Sequence, residues 1–552
     1  MLPINQQLRY FRDFYFGSVL SGFMIGTSYI PYPAWAIAFC YLPLWWNVLK
    51  AHKHSQLDAQ NKSNIKLYVM VFLQGWISQF ILTLIGFNWL FYTAQEFGHL
   101  PDILSLVILL LFASLMHIYI PLALVFATYI KQRFRLSTPQ FILTIAICHI
   151  LFERIWPSIF EWNLGYTLLW MKWPIAQWAD TVGFWGLSAL IFIIQSYFLM
   201  AYWLYQNQKI KQSAYTIIGT LSVIVVLWVT GLYKYSKATE KLDSSLNVVI
   251  VQANVTNEEK LQSEKGYTYQ GFVVEKYIAE TSKILNQYPQ TNLVFWPETA
   301  LPMALDTSFH NRPNQNKVIQ AVRNWNLQLV TGAYSQDLFK LDHLGHNLIR
   351  NSVFFIGPQG ETASAYNKTD LLAFGEYMPF GQDFPFLYKL LPFVGTYERG
   401  PGPVIKSVPV KSLNEPLRLG PQICYESLNP GFSRQLARSG AQIIFNLTND
   451  SWFGWWAEPY QHMMMTLARG LENRRPLIRS TNTGISSVIL ANGDELSRSP
   501  IGEIWAGSYN VKYQNNPHLT VYAQFGYLDW ILWLFLLLLI ILRGHHARTQ
   551  KS

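Results

Sequence analysis

The segment "LRLGPQICYES", residues 417–427, joins a strand pattern to a reactive side chain. An apolar stretch ends at Ile423, and Cys424 follows it directly, with Tyr425 and Glu426 next. In sheets of buried strands, functional groups collect in loops just past the carboxyl ends of the strands. Cys424 is therefore either a nucleophile at a strand end or a small packed side chain, since free cysteine is among the most buried residue types.

The region around this segment alternates between strand and helix patterns. Apolar runs such as "LNVVIVQAN" (246–254) and "AQIIFNLTND" (441–450) are separated by polar stretches with helical character, such as 264–287. Strands that alternate with helices are typical of an α/β domain whose buried sheets are covered by helices. About 280 residues are enough for one large domain, so we predict a single α/β domain over 246–523.

Long apolar runs on both sides of this region predict membrane helices. Charged residues make up only 13% of the 552-residue chain, against roughly 25% in an ordinary soluble protein. A helix needs about 20 apolar residues to cross roughly 30 Å of hydrocarbon. We predict a membrane domain of seven helices over 1–233 and an eighth helix over 527–543. The seven predicted spans are 14–30, 32–50, 68–92, 102–130, 140–158, 181–206 and 214–232.

Lysine and arginine are concentrated in alternate short loops of the membrane part. The basic loops include 50–67, 131–136 and 207–213, and by the positive-inside rule they place both termini in the cytoplasm. The α/β domain then lies on the extracytoplasmic side. The run 102–130 leaves one alternative open, because two short helices there would reverse the orientation of everything after it.

The net charge of +10 does not indicate a nucleic-acid-binding protein. Much of the excess lies in loops predicted to face anionic lipid, and the sequence lacks the basic stripe interleaved with aromatic residues that single-strand binders use. Of the three cysteines, Cys40 and Cys148 lie in apolar runs. No CxxC pair or Cys/His cluster with metal-ligand spacing occurs in the sequence, so we expect no metal and no cofactor.

Two further polar residues follow predicted strands. Glu298 follows "LVFWP", and Lys368 lies in the turn-rich "YNKTDLLAFGEYMPF". Taken singly, the surface side chain is the favoured interpretation of each. Together with Cys424 they form a chemical set, because a thiol with a pKa of about 8.5 is only slightly ionised at neutral pH. A carboxylate can accept its proton, and an ammonium can stabilise the thiolate and then the oxyanion of a tetrahedral intermediate.

The segments that carry these residues resemble the Glu, Lys and Cys segments of the nitrilase superfamily. They read "FWPETALP", "YNKTDLLAFGEYMPF" and "GPQICYES". "NDSWFG" (449–454) and "LENRRPLIRSTNTGIS" (471–486) are similar to segments of one branch, the bacterial apolipoprotein N-acyltransferases. This resemblance implies an α/β nitrilase-like domain, an α-β-β-α sandwich, joined to a polytopic α-helical membrane domain.

The resemblance also implies an activity. Such an enzyme takes an acyl chain from a phospholipid, holds it as a thioester on Cys424, and transfers it to the amino group of the N-terminal diacylglyceryl-cysteine of an apolipoprotein. Glu298 would be the base and Lys368 the charge stabiliser. The protein would be a multi-pass protein of the bacterial inner membrane, with its catalytic domain on the periplasmic side, and we expect it to be a monomer.

Other residues receive supporting roles from the same resemblance. Glu376, Tyr425 and Glu426 would support the site or contact substrate, and we expect Glu376 to orient Lys368. Leu261 stands where many family members carry tryptophan, so any substrate contact made by that tryptophan must differ here.

Two apolar loops, 384–403 and 451–459, are predicted to form a lipid-facing mouth. Tryptophan is enriched at membrane interfaces, and the second loop contains three tryptophans. The alternative is that both loops pack inside the domain. The candidate lid residues are Phe386, Leu390, Phe393, Trp452 and Trp455.

Two other functional classes stay open at this point. A membrane-tethered amidase would use the same three residues on a soluble substrate, with water as the acceptor, although the extended membrane part argues against it. A transporter would favour ionisable residues within the spans, and the sequence has few there. Those present are His117, His149, Glu153 and Arg154.

Overall fold

The computed structural model describes residues 12–57, 64–158, 160–263, 266–305, 313–342, 345, 347–391 and 394–549. The chain divides into two compact units, one containing Met1–Gln95, His99–Lys234 and Phe525–Ser552, the other Glu96–Gly98 and Tyr235–Gln524. The described α-helices are α1 (Phe16–Gly26), α2 (Leu42–Leu57), α3 (Asn64–Gly86), α4 (Trp89–Glu96), α5 (Asp102–Leu115), α6 (Tyr119–Phe134), α7 (Thr138–Ile155), α8 (Tyr166–Trp170), α9 (Ala179–Gln206), α10 (Ile210–Glu240), α11 (Asn257–Ser263), α12 (Tyr267–Gln287), α13 (Pro313–Trp325), α14 (Phe386–Leu390), α15 (Pro430–Arg438), α16 (Glu458–Asn473), α17 (Val521–Phe525) and α18 (Asp529–Thr549).

The first unit is built from apolar helices. Five helical stretches among the described residues are long and apolar enough to cross a membrane. They are Ile65–Gly86, Asp102–Phe134, Thr138–Ile155, Pro174–Gln206 and Ile210–Glu240. The predicted eighth span, 527–543, overlaps α18 (Asp529–Thr549), which is not one of these five stretches.

The run predicted as one span over 102–130 is a broken helix. Helices α5 and α6 are separated by a turn at 116–118, and Pro121 follows in the first turn of α6. A proline has no N–H to donate to the carbonyl four residues earlier, which explains the break. Backbone hydrogen bonds still bridge the turn, and α5 alone, at about 1.5 Å per residue, is too short to cross roughly 30 Å. By length and composition, Asp102–Phe134 is one candidate span, and its single crossing stays a prediction.

The second predicted span, 32–50, departs further from the observed helices. Residues 27–41 form turns and irregular backbone, and α2 begins only at Leu42. Pro31 and Pro33 account for the difference, because proline restricts the residue before it and cannot continue a helical hydrogen-bond ladder.

The second unit contains two β-sheets of mixed strand direction. The larger sheet has the order β12-β1-β2-β4-β5-β6, with β3 paired to β4, and the smaller has the order β11-β10-β9-β8-β7. The strands are β1 (Ser244–Gln252), β2 (Leu293–Phe295), β3 (Leu301–Ala304), β4 (Gln328–Leu341), β5 (Asn347–Ile356), β6 (Thr362–Asn367), β7 (Lys406–Val408), β8 (Leu417–Ile423), β9 (Ile443–Thr448), β10 (Leu477–Thr481), β11 (Ser487–Ile489) and β12 (Trp505–Tyr513).

The two sheets pack face to face. The ring of Phe445 on β9 lies 5.3 Å from that of Phe295 on β2 and 6.2 Å from that of Phe355 on β5. Helix α12 covers the outer face of the larger sheet through contacts such as Tyr277 with Trp296. Helices α15 and α16 pack on the smaller sheet. These four layers confirm the predicted α-β-β-α sandwich.

Candidate active site

Cys424 begins a tight turn at the carboxyl end of β8. Its φ angle is 48°, in the left-handed region, and the short 3-10 helix Cys424–Leu428 starts on it. Such backbone is costly for a residue other than glycine, and strain of this kind concentrates at functional sites. Asn446 Nδ2 and Ser427 Oγ hold the turn by donating hydrogen bonds of 3.0 Å each to the Cys424 carbonyl.

Glu298 follows a strand, as predicted, whereas Lys368 follows a strand, β6, that was not predicted and lies between "SVFFIG" and the lysine. Glu298 lies three residues after the end of β2, and Lys368 directly follows β6. Both side chains are buried, and Lys368 Nζ lies 3.3 Å from Glu298 Oε1. The Lys368 backbone N–H donates to the Asn351 carbonyl at 2.8 Å. This hydrogen bond holds the chain against β5 at the point where it leaves β6.

Glu376 completes a buried charge cluster with these residues. Lys368 Nζ donates to Glu376 Oε1 at 2.8 Å, and the Leu372 N–H donates to Glu376 Oε2 at 2.9 Å. One ammonium is thus shared by two carboxylates. This contact is what the expected orienting role of Glu376 requires, and the role itself stays a prediction.

Asn351 was not among the residues singled out from the sequence. Its Nδ2 donates to Glu298 Oε1 at 2.7 Å and to Glu376 Oε1 at 3.1 Å, so it holds the two carboxylates together. Asn351 directly precedes the apolar run "SVFFIG". The sequence gives little indication that Asn351 belongs to the site, because an asparagine within a strand is not typical of any one kind of functional site.

Charges from this cluster act on Cys424. Burial disfavours the charged form of Lys368, but Glu298 and Glu376 outweigh that effect and raise the pKa of Lys368 well above its usual value. Burial raises the pKa of the Cys424 thiol, the charge of Glu298 raises it further, and Lys368 opposes both. The resting cysteine is therefore a neutral thiol beside a charged ammonium, and it needs a base before it can react.

Glu426 connects the turn that begins at Cys424 to the segment on either side of Lys368. Its Oε2 accepts from the Ile423 N–H at 2.7 Å, and its Oε1 accepts from the Tyr366 hydroxyl at 2.7 Å and from the backbone N–H groups of Thr369 and Asp370. The side chain is fully buried. These contacts give Glu426 a structural position behind the site, whereas Tyr425 is half-buried.

The candidate lid residues lie in different environments. Phe386 and Leu390 are 56% and 67% exposed, whereas Tyr388 between them packs with Met378 in a small apolar cluster. Trp455 is 58% exposed. Trp452 is half-buried, and Phe393 lies outside the described residues. Each loop therefore both packs inward and exposes apolar side chains.

A buried group with the donor types of a metal site lies elsewhere in the unit. Ligand atoms of Asp450, Glu458 and His462 lie within 4.8 Å of one another. However, the guanidinium of Arg479 lies 2.6 Å from Asp450 Oδ2, and a positive charge at that distance repels a bound cation. We assign no metal to this group.

Leu261, the residue that stands where many family members carry tryptophan, lies on α11 and is 45% exposed.

Two family models match the chain, one in each unit. Residues 251–511 match the carbon-nitrogen hydrolase family, and residues 21–197 match the apolipoprotein N-acyltransferase N-terminal domain. Nit3 from Saccharomyces cerevisiae, a nitrilase-superfamily member, matches with a TM-score of 0.36 and 14% identity over 49% of this chain and 91% of its own.

Similar sequences extend over nearly the whole chain. The apolipoprotein N-acyltransferase of Bdellovibrio bacteriovorus is 45% identical over 97% of this chain and 95% of its own length. That of Geobacter metallireducens is 28% identical over 75% of each. Both the helical unit and the α/β unit are included in the first of these matches, and the chain belongs to the apolipoprotein N-acyltransferase family.

Proposed function

We propose that this protein transfers an acyl chain from a phospholipid to the N-terminal amino group of diacylglyceryl-cysteine in apolipoproteins. The acyl chain is held between the two steps as a thioester on Cys424. The observation that carries this proposal is the buried ammonium of Lys368, shared by Glu298 and Glu376 and interacting electrostatically with Cys424. Family membership supplies the reaction class.

In the first step, Glu298 accepts the proton of the Cys424 thiol as the sulfur attacks the ester carbonyl of the phospholipid. Lys368 stabilises the thiolate and then the oxyanion of the tetrahedral intermediate. The intermediate collapses by breaking the bond to the glycerol oxygen, which leaves with the proton held by Glu298. A lysophospholipid departs, and the acyl chain remains on sulfur as a thioester.

In the second step, the amino group of the apolipoprotein attacks the thioester carbonyl. Glu298 takes a proton from the attacking amine, and Lys368 again stabilises the oxyanion. The carbon–sulfur bond breaks, an amide forms, and Cys424 regains its proton from Glu298. No oxidant, reductant or cofactor is needed for either step.

The rest of the α/β unit is suited to lipid substrates. A cavity of about 730 Å³ is lined by apolar residues such as Met378 and Phe380 and by charged residues such as Asp383 and Arg399. Its volume lies within the range of roughly 300–1,000 Å³ seen for small-molecule sites. Apolar side chains exposed nearby in the chain, at Phe386 and Leu390, would contact lipid rather than water. Exposing acyl carbons to water costs about 0.8 kcal/mol per CH₂, so a site that receives the chain directly from a bilayer avoids that cost.

The test is to replace Cys424 with alanine and to incubate the purified protein with a phospholipid carrying a labelled acyl chain. Wild-type protein should form an acyl adduct on Cys424 that hydroxylamine releases, and it should acylate a diacylglyceryl peptide. Cys424→Ala should lose both and remain folded, because the thiol is the attacking group. Cys148→Ala, which removes a cysteine from α7, is the matched control and should keep both.

Two outcomes would reject the proposal. One is an acyl adduct that persists in Cys424→Ala at the wild-type level. The other is release of free fatty acid by the wild type with no transfer to the peptide, which would indicate a hydrolase that uses water as its acceptor.

A further inference from the structure

Arg479, in the middle of β10, has a fully buried guanidinium group that takes no part in the proposed steps. Its Nη2 donates to Asp450 Oδ2 at 2.6 Å, which pairs the charge, and its Nε donates to the Ile485 carbonyl at 3.2 Å. A buried charge is costly unless it is paired and its other polar atoms are hydrogen-bonded. The third nitrogen, Nη1, makes two further hydrogen bonds, and both lead towards Cys424.

The first of these hydrogen bonds reaches Cys424 through one side chain. Arg479 Nη1 donates to Asn446 Oδ1 at 3.0 Å, and Asn446 Nδ2 donates to the Cys424 carbonyl at 3.0 Å. A guanidinium only donates and a carbonyl only accepts, so the amide of Asn446 satisfies both groups in this orientation alone. Asn446 is fully buried on β9, the strand between β8 and β10.

The second hydrogen bond reaches the same carbonyl through two hydroxyl groups. Arg479 Nη1 donates to Thr466 Oγ1 at 3.1 Å, and Thr466 Oγ1 lies 2.7 Å from Ser427 Oγ. Ser427 Oγ in turn donates to the Cys424 carbonyl at 3.0 Å. Each hydroxyl has one proton. Because the Ser427 proton is directed to the carbonyl, Thr466 must donate to Ser427, and the Thr466 oxygen accepts from Arg479. Every donor in this chain therefore points from the guanidinium towards Cys424.

Both chains end on the carbonyl of a residue with strained backbone. The φ angle of Cys424 is 48°, which is unfavourable for a residue that has a Cβ, so the turn needs contacts that hold it. A carbonyl oxygen has two lone pairs, and Asn446 and Ser427 each donate to this one. Because a peptide unit is planar, a held carbonyl fixes the peptide that follows Cys424, and with it the backbone from which the sulfur projects.

We propose that Arg479 is a positioning residue for Cys424. Through Asn446, and separately through Thr466 and Ser427, it holds the Cys424 carbonyl and so keeps the sulfur in the position from which it attacks. Arg479 acts on the reaction through these residues and does not itself contact the substrate. This inference rests on the proposed role of Cys424 as the nucleophile.

The test measures how fast Cys424 reacts with a small reagent. Full-length protein in detergent is treated with iodoacetamide, and alkylation of the Cys424 peptide is followed by mass spectrometry, with Cys424→Ala as the blank. Arg479→Lys should slow alkylation by about 10- to 100-fold, because a lysine ammonium can pair with Asp450 but lacks the planar fork that serves both chains. Loosening of the fold alone would expose the buried sulfur and speed alkylation, so the direction of the change separates positioning from destabilisation.

Arg475→Lys is the matched control. Arg475 is also fully buried, four residues earlier in the chain. Its guanidinium donates to backbone carbonyls such as those of Ala441 and Pro517, which lie outside the turn that begins at Cys424. This variant should lower the melting temperature about as much as Arg479→Lys does, but it should leave the alkylation rate of Cys424 unchanged.

The second chain is tested by itself with two variants of Thr466, which keeps the test decisive even if Arg479→Lys does not fold. Thr466→Val has a similar shape but no hydroxyl, and it should slow alkylation by about 3- to 10-fold, the effect of losing one hydrogen bond between neutral groups. Thr466→Ser keeps the hydroxyl and should restore the wild-type rate. In the Thr466→Val background, Arg479→Lys should slow alkylation less than it does in the wild type, because both act on one carbonyl.

Three outcomes would overturn the inference. They are alkylation of Arg479→Lys at or above the wild-type rate, equal slowing in Arg475→Lys, and Thr466→Ser that reacts as slowly as Thr466→Val. Alkylation by iodoacetamide needs no lipid. A failure of the proposed acyl transfer would therefore be seen separately, as a wild type that is alkylated on Cys424 and forms no acyl adduct.

Discussion

Lys368 supplies the positive charge of the candidate site. It lies between two carboxylates, the buried one of Glu298 at 3.3 Å and the partly buried one of Glu376 at 2.8 Å, and Asn351 donates a hydrogen bond to each. One positive charge against two negative charges leaves the cluster with an excess of negative charge beside Cys424. Burial and the charge of Glu298 both favour a protonated Cys424 thiol at rest, and Lys368 opposes them.

A pH effect is expected from Glu426. Burial raises the pKa of Glu426 to about 7, against an ordinary value of 4.5, although hydrogen bonds from Thr369, Tyr366 and Ile423 oppose the shift. The folded state therefore binds this proton more tightly than the unfolded state does. Stability from this group is present below about pH 4.5 and is lost as the pH rises towards about 7, with a total of about 3 kcal/mol.

This effect is measured by comparing melting temperatures of the wild type and Glu426→Gln between about pH 5 and about pH 8. The glutamine cannot ionise, so the melting temperature of the variant should fall less with rising pH than that of the wild type. Equal slopes in the two proteins would contradict the expectation. The variant is expected to be less stable at every pH, because its amide NH₂ would face backbone N–H donors.

At the scale of elements, the candidate site is formed by residues that follow three strands and by one residue of a loop. Glu298 follows β2, Lys368 follows β6 and Cys424 follows β8, while Glu376 reaches back from the loop after Lys368. Strands β2 and β6 belong to the larger sheet and β8 belongs to the smaller. Because the two sheets pack face to face, residues far apart in the chain meet at one edge of the sandwich.

The short helix α14 is expected to contact lipid. Phe386→Ser and Leu390→Ser should lower the rate of acyl-adduct formation from phospholipid vesicles by about 3- to 10-fold, because less apolar surface is available to the bilayer. The melting temperature should hardly change, since both side chains are exposed. Phe272→Ser is the control, because Phe272 is equally exposed, at 56%, on the outer helix α12.

The same variants should act normally on a short-chain thioester that is soluble in water. If Phe386→Ser and Leu390→Ser form the adduct from vesicles as fast as Phe272→Ser does, α14 is not part of the lipid-contacting surface.

At the scale of the whole molecule, the sidedness of the chain is a prediction from its loop charges. The turn between α9 and α10 carries Lys209, and Lys211 follows in the first turn of α10, so this end of the two helices should face the cytoplasm, and residues 246–523 should face the opposite side. Single cysteines introduced by Gln208→Cys and Ser412→Cys test this in cells, with a thiol reagent that cannot cross the inner membrane.

Ser412→Cys should react in cells whose outer membrane has been made permeable, whereas Gln208→Cys should react only after lysis. Cys40 and Cys148 are fully buried, and Cys424 is nearly so, so the background from native thiols should be low. Labelling with the opposite pattern would reverse the orientation and place the candidate site on the cytoplasmic side.

Local patterns in the sequence predicted several elements correctly. The runs around 246–254, 417–427 and 441–450 are strands, and the polar stretch 264–287 is largely the helix α12. Edge strands were harder to recognise. β12 pairs antiparallel with β1 and was not among the predicted strands, although its second half alternates polar and apolar residues in the pattern of a half-buried strand. In the membrane part, proline at 31, 33 and 121 accounts for helix breaks that apolar composition alone does not show.

By itself, the sequence determined the layered α/β fold, the apolar helices and the three residues placed after strands, because strand patterns and chemically unusual side chains are local properties. Tertiary structure decided which buried polar groups share the site. Asn351 is an ordinary strand residue in the sequence, and it gains a role only because packing places it against Glu298 and Glu376. Hydrogen bonds between distant strands depend on the relative position of two sheets, which no local pattern encodes.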